Sequence, residues 1–300
     1  MRPNLVHMQV ISMGYAEVPG DRAMFVSVAT RQALPTAGEM ERVLVEAVAR
    51  EPDSELIERA DWIQIRTPSS RRFNHNVVLR ARVPAQDVDA RVRAVAADHT
   101  RRGAAYRWVV GPSSHPGDAI IDALERGGAS HSGRSLGMAM HTPSTALPAM
   151  AGLEVEAMRP ETVDAYAELC ARGFERTESS FAEALRYVGR RSFEGPPQTA
   201  SFIATLHGEP VATSHLRLLP GLGLGYLQGC SVIPAYRGRG IYRALVYHRM
   251  EVLRERGVDR VVIWANASNA GIACGRLGFH TVCSADFYQC GGSSAGLGGE

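Results

Sequence analysis

No apolar run in this 300-residue chain is long enough to cross a bilayer, so no membrane span is expected. The first ten residues, MRPNLVHMQV, carry a charge but neither a sustained apolar region nor an obvious cleavage site, and a cytoplasmic location is the expectation. Cysteine is scarce. Cys170, Cys230, Cys274, Cys283 and Cys290 all lie in the second half, and none forms the CxxC pair of a zinc site, so no metal is expected. An odd count without an export signal reads as reduced thiols, each serving as a small buried apolar residue. Neither sign of charge dominates. A formal net charge of +2 argues against a general nucleic-acid binder or a membrane-surface protein, and the Arg71-Arg72 and Arg190-Arg191 pairs are too small to build a basic face. There is no Gly-Lys-Ser/Thr loop for a nucleoside triphosphate, and no third glycine completes a dinucleotide fingerprint. What remains is 45% apolar and 21% charged, a composition that folds, in a length that holds one large domain or two ordinary ones.

Helix and strand patterns alternate along the chain, predicting an α/β (α+β) fold. Thr36 and Glu39 form a capping box ahead of Met40, Val43, Leu44, Ala47 and Val48 at helical spacing. Trp62–Ile65 and Asn76–Val83 read as strands, 87–102 as a helix closed by Gly103, Tyr106–Val110 as a strand and Gly117–Arg126 as a helix. The segment 138–152, with Pro143, Pro148 and several small residues, is the expected linker. Beyond it, 161–172 is helical, and Ser180 with Glu183 starts another capping box. Residues 201–219 form a hairpin turning at Gly208-Glu209-Pro210. Strand 222–233, helix 240–256, strand 260–264, a short helix near 270–277 and a last strand near 281–288 complete the series. The final ten residues, GGSSAGLGGE, read as a flexible tail.

The halves repeat each other. RVPAQDVDARVRAVAADHTRRGAAYRWVVGPSS from Arg82 and VIPAYRGRGIYRALVYHRMEVLRERGVDRVVIWANAS from Val232 both read as a strand ending in proline, a long helix ending in Arg-Gly, an aromatic-bearing strand and a small polar loop. The expected organisation is therefore two tandem domains, 1–147 and 148–290, followed by the tail 291–300, each domain a mixed sheet flanked by helices.

The segment carrying chemistry is CSVIPAYRGRGIYRALVYHRM at Cys230–Met250. Gly238 and Gly240 stand between a strand ending at Pro234 and a helix that opens at once. Such a turn points several N–H groups one way, and the helix N-terminus adds partial positive charge, which suits a pyrophosphate. Val232, Pro234, Arg237 and Gly240 fit a V-x-P strand end followed by Arg-x-x-Gly, and Leu277-Gly278-Phe279 opens the last strand after an Asn/Ser-rich loop. These blocks resemble the GNAT superfamily of N-acetyltransferases, with the resemblance covering roughly Leu153 to Cys290. One position departs from the pattern, since Tyr242 stands where a final small residue is usual. The first half resembles the superfamily in architecture only: AQDVDARV after Pro84 has no glycine turn, and Asp87 and Asp89 would repel an anion.

The resemblance implies acetyl-CoA as donor and the amine of a small molecule as acceptor. It implies that Ser231, Val232 and Ile233 pair with the pantetheine arm, that Arg237, Gly238, Arg239, Gly240, Ile241 and Tyr242 hold the pyrophosphate, and that Asn266 or Asn269 reaches the pantetheine amides. Family members often carry a strand glutamate as base. Gln228 stands there, and no Asp or Glu occurs between Val211 and Met250, so His215 is the substitute candidate. Cys274 occupies the place of the usual proton-donating tyrosine, with Tyr288 and Tyr242 as substitutes. Other readings stay open: another acyl donor (a longer acyl-CoA, a carrier-protein thioester or an aminoacyl-tRNA), or a non-catalytic acyl-CoA-binding module. Two domains in one chain can mimic a pairing that other members make between subunits, which is compatible with a monomer.

Overall fold

The computed structural model describes residues 32–48, 50–177, 179–193 and 198–291. The readings of the first ten residues, of the Ser180 side chain and of the tail beyond Gly291 lie outside the described residues. The first half contains α1 (Ala37–Ala47), β1 (Glu55–Arg59), β2 (Trp62–Arg66), β3 (Val77–Leu79), α2 (Val88–Arg101), β4 (Tyr106–Val110), α3 (Gly117–Arg126) and β5 (Ser130–His141). The second contains β6 (Leu153–Ala157), α4 (Val163–Gly173), α5 (Ser179–Arg191), β7 (Thr199–Leu206), β8 (Glu209–Leu219), β9 (Leu224–Val232), α6 (Ile241–Glu255), β10 (Arg260–Asn266), α7 (Ala270–Arg276) and β11 (His280–Cys290).

Local chemistry explains much of this. The Thr36 hydroxyl accepts from the Glu39 N–H, and the Glu39 carboxylate accepts from the Thr36 N–H, so the expected capping box starts α1. The β7–β8 hairpin turns one residue earlier than expected, at His207-Gly208, where φ values of 53° and 86° give the primed geometry that matches strand twist. Two elements escape sequence periodicity. The short, largely exposed β1 (ELIER) is held by its pairing with β2, and β5 runs through Met138–His141, which composition assigned to the linker. β5 is rich in serine and glycine and poor in β-branched residues, and a strand on each side holds it extended.

Among the described residues, eleven strands form one sheet in the order β1-β2-β3-β4-β11-β5-β10-β9-β8-β7-β6. The two expected mixed sheets are thus joined edge to edge, and the last strand of each half is exchanged. β11 pairs antiparallel with β4 of the first half, β5 pairs antiparallel with β10 of the second, and β5 and β11 pair with each other at the centre. Helices α2, α3, α6 and α7 cover one face, burying Val92, Leu124, Val246, Leu253 and Cys274. Helices α1 and α4 cover the other, where Met40 and Val43 meet Leu224, Tyr226 and Val262.

Candidate active site

Strands β9 and β10 run parallel for only two residue pairs, Gly225–Val261 and Tyr226–Val262, and then part. The cause lies on the other side of β9. A bulge at Gly229, where φ is 47°, shifts the β8–β9 register between Ser214–Cys230 and His215–Gln228 and bends β9 away from β10. The Ile233 N–H bonds to the Val211 carbonyl at 3.0 Å. Ladder alternation therefore spends the backbone groups of Ser231 and Ile233 on β8 and turns those of Cys230 and Val232 into the gap. This corrects two of the three predicted pairing residues: only Val232 faces the gap, and Cys230, taken from sequence as a packing thiol, joins it. The Ser231 hydroxyl is likewise committed, to Thr213 at 2.8 Å.

At the end of the gap, Gly238 and Gly240 both adopt left-handed backbone, with φ of 77° and 85°. An L-residue there costs roughly 1–2 kcal/mol, so the glycines are required by conformation. Gly240 is the N-cap of α6, which starts with no capping side chain and no acidic residue in its first turn. The first helical N–H to bond back is that of Ala244, to the Gly240 carbonyl at 3.0 Å. The N–H groups of Ile241, Tyr242 and Arg243 are thereby left at the positive end of the helix dipole. Of the expected pyrophosphate residues, Arg237 is diverted. Its guanidinium donates to Glu175 Oε2 at 2.8 Å, the Gly173 carbonyl at 2.8 Å and the Val232 carbonyl at 3.1 Å, lacing the end of α4 to the turn. Arg239 lies over the Tyr236 ring at 5.0 Å. The exposed Arg243 was not singled out from sequence; its guanidinium reaches back to within 3.7 Å of where a Gly240 Cβ would stand. Asn266 and Asn269 occupy the loop beyond β10 as expected, but their carbonyl oxygens serve the chain itself. Asn266 Oδ1 accepts from the Ser268 N–H at 2.9 Å, and Asn269 Oδ1 accepts from the Ala270 N–H as cap of α7.

His215 and Gln228 are opposite one another on β8 and β9, half-buried on the face of α1 and α4. His215 Nδ1 is 2.8 Å from Ser201 Oγ. Burial first, then the Arg217 and Arg249 charges, push its pKa down to about 4, so the imidazole is neutral at pH 7. Cys274 is wholly buried in the α6–α7 core and meets the Tyr242 hydroxyl at 3.2 Å; burial raises the pKa of both groups. Cys274 therefore packs rather than meeting a ligand. Tyr288 is removed from the site altogether. Its ring belongs to the first-half core with Trp108 and Val92, and its hydroxyl donates to Glu125 at 3.1 Å, because strand exchange carries β11 across to β4.

The first half also reaches toward this site. Arg217, two residues along β8 from His215, donates to the Ala47 carbonyl at the end of α1 at 3.0 Å. Tyr187 and Arg191 of α5 both donate to Glu51, at 2.8 and 2.7 Å. A cavity of about 300 Å³ elsewhere, between β1, β2 and α2, contains none of the predicted site residues. Among the described residues no helix is long and apolar enough to cross a membrane, and no cluster of three or more metal-ligating side chains occurs.

Comparison with known proteins agrees with this geometry. Residues 163–279 match the family model described as Acetyltransferase (GNAT) family. A GCN5-related N-acetyltransferase from Kribbella flavida superposes with a TM-score of 0.62 at 13% identity, over 86% of this chain and 95% of the other. A tandem GNAT protein from the clavulanic acid biosynthesis pathway gives 0.54 at 14% identity, over 87% and 91%. A GCN5-related N-acetyltransferase from Sphaerobacter thermophilus gives 0.55 at 17% identity, over 79% and 75%. No curated protein matches. The chain therefore carries a GNAT-family acetyltransferase domain at residues 163–279, set in a sheet whose overall fold it shares with GCN5-related N-acetyltransferases, a tandem GNAT protein among them.

Proposed function

We propose that the chain transfers an acyl group from an acyl-CoA, with acetyl-CoA the donor, to the amine of a small molecule. One observation carries this reading. The β9–β10 gap ends at two left-handed glycines and an uncapped, acid-free helix N-terminus, an arrangement that suits an extended arm joined to a pyrophosphate. When bound, the acyl-CoA supplies an activated thioester carbonyl. The chain supplies the rest: Cys230 and the Val232 N–H offer backbone groups along the gap, the Val232 carbonyl being held by Arg237, and the α6 N-terminus with Arg243 meets the phosphates. An N–H of β9 at the bulge is placed to stabilise the charge developing on the acyl oxygen.

His215 is the proton acceptor this reading carries over, but a group whose burial lowers its pKa to about 4 is a weak base toward an alkylammonium. The acceptor then reacts as the neutral amine, and positioning provides most of the rate, up to about 7–11 kcal/mol in favourable cases. The acceptor side is the α1–α4 face, which Ala47 and Glu51 of the first half approach through their bonds to Arg217 and Tyr187. On this reading 148–290 is the acyl-CoA half and 1–147 a half without a site, and the proposed form is a cytoplasmic monomer.

The test is release of free thiol from acetyl-CoA across a panel of amines, with longer acyl-CoAs alongside. The chain contains no lysine, so acylation of lysine side chains does not obscure the result. Turnover with an amine is expected, with kcat/KM rising toward the pKa of the amine and no inflection near 6.5. His215→Ala should therefore lower it by less than about 10²-fold, below the range for loss of a general base. Tight CoA binding without turnover of any amine would favour the second reading, a non-catalytic acyl-CoA-binding module, to which the missing carboxylate at Gln228 lends support.

A further inference from the structure

Arg249, on α6, is wholly buried. No carboxylate among the described residues lies within ion-pair distance of it. Its guanidinium is spent on backbone carbonyls: Nε donates to Leu245 at 3.1 Å, and one terminal nitrogen donates to His215 at 3.0 Å and, at the limit of a hydrogen bond, to Gln228 at 3.5 Å. The second terminal nitrogen is buried and has no partner. A lone buried cation is costly, and a chain that only needed to fill this space could do so with an apolar residue at no loss.

Its location suggests what offsets the cost. His215 and Gln228 are the residues at which the β8–β9 bulge begins, so Arg249 binds the carbonyls beside the very distortion that opens the gap. The same charge is felt by Cys230 on β9 and by the buried Tyr242–Cys274 pair between α6 and α7. Acyl transfer generates negative charge in that gap. The acceptor nitrogen forms a bond to the acyl carbon, the C–S bond breaks, and its electron pair leaves on sulfur. The proton given up by the amine goes to water or His215, and the thiolate is reprotonated by solvent on release.

We infer that Arg249 is a positioning residue that pins the bulge and, through its uncompensated buried charge, stabilises the departing thiolate of CoA. The inference rests on the acyl-CoA reading and fills the place left by the missing proton donor, since Cys274 is sealed in the core and Tyr288 lies in the other half.

The experiment compares the Kd of CoA with that of desulfo-CoA, which lacks the thiol, between pH 6 and 9, by calorimetry on the full chain. With Arg249 present, the preference for CoA should grow at least about 10-fold between pH 6 and 8, as the bound thiol ionises below its ordinary range near 8.5. In Arg249→Met the growth should disappear, because a bound thiol that ionises no more readily than the free one gives no preference that rises with pH, while desulfo-CoA binds within about 3-fold of wild type and kcat falls at least about 10-fold. Arg249→Lys, which retains the charge, should keep the early onset. A flat preference up to pH 8 in the wild-type protein overturns the inference even if Arg249→Met does not fold. So does an unchanged profile in Arg249→Met, or an equal loss of desulfo-CoA affinity and kcat, which would leave only the structural pin. If neither ligand binds the wild-type protein, the acyl-CoA reading itself fails.

Discussion

In the first half β3 and β4 run parallel for two residue pairs and then part, as β9 and β10 do in the second. From there the halves diverge. Beyond β4 the loop of residues 111–116 folds back into the opening. The His115 N–H donates to the Ala81 carbonyl at 2.9 Å, the His115 carbonyl accepts from the Val83 N–H at 2.9 Å, and Arg82 Nε donates to the Ser113 carbonyl at 3.1 Å. Buried Glu41 holds the loop in place by accepting from the Ser113 N–H at 3.0 Å. Gly111 is needed there, because a Cβ would stand 2.5 Å from that carboxylate. The backbone groups that β9 leaves open are thus satisfied within the chain in the first half. At the following turn, α2 begins at Asp87 with Asp89 in its first turn, whereas α6 begins at glycine with no acid. Closing a gap with the chain's own backbone removes open backbone groups whether or not a glycine turn follows.

The comparison predicts a single acyl-CoA site per chain. The largest effect should come from giving α6 the acid that α2 carries. Gly240→Asp places a carboxylate where the pyrophosphate is expected and should weaken CoA binding by about 3–4 kcal/mol in a folded protein. Isothermal titration reads both results: two equivalent sites in the wild-type chain, or full affinity in the variant, breaks the contrast between the halves.

A smaller effect sharpens the contrast in their cores. His99, in the first half, is fully buried, stacks on Tyr106 at 4.2 Å and accepts from Arg102 at 2.9 Å; burial, then Arg102, pushes its pKa down to about 4. The unfolded chain takes up this proton below about 6.5 and the folded chain only near 4. Stability is therefore complete above pH 6.5 and falls as pH drops through that window, by up to roughly 3 kcal/mol. Half-buried His215 adds a smaller share in the same direction. Urea unfolding across this range should show the loss, and His99→Gln should flatten most of it. A slope unchanged in the variant would assign the acid sensitivity to other groups.

The smallest effect concerns the lacing of the turn. Arg237→Met removes three hydrogen bonds from a side chain that is 47% exposed, so stability should fall by only about 1 kcal/mol. The CoA affinity should fall further than that if the end of α4 positions the turn. A loss confined to stability would mean that the glycine turn holds its shape unaided.

Much of this was legible in advance. The capping box at Thr36, the helices at Gly117 and Gly240, the strand at Tyr106 and the glycine turn each follow from local rules of spacing, capping and backbone freedom acting within a few residues. Arg249 was also visible as an anomaly, a charge on the apolar stripe of Leu245, Val246, Met250 and Leu253, though it was not singled out. Strand exchange was not legible, because antiparallel pairing of β5 with β10 or with β11 satisfies the same backbone groups and leaves the same pattern in each strand. That exchange moved Tyr288 out of the site. The bulge at Gly229, which replaced Ser231 with Cys230 at the gap, depends on register between strands, and so does the closed gap at His115, which depends on a loop meeting a strand some thirty residues before it. Sequence alone determined most of the elements, the repeat and the glycine turn, since those are set by neighbours along the chain. Which backbone groups stay open was decided only by tertiary structure, because hydrogen-bonding groups are spent between segments that sequence distance does not relate.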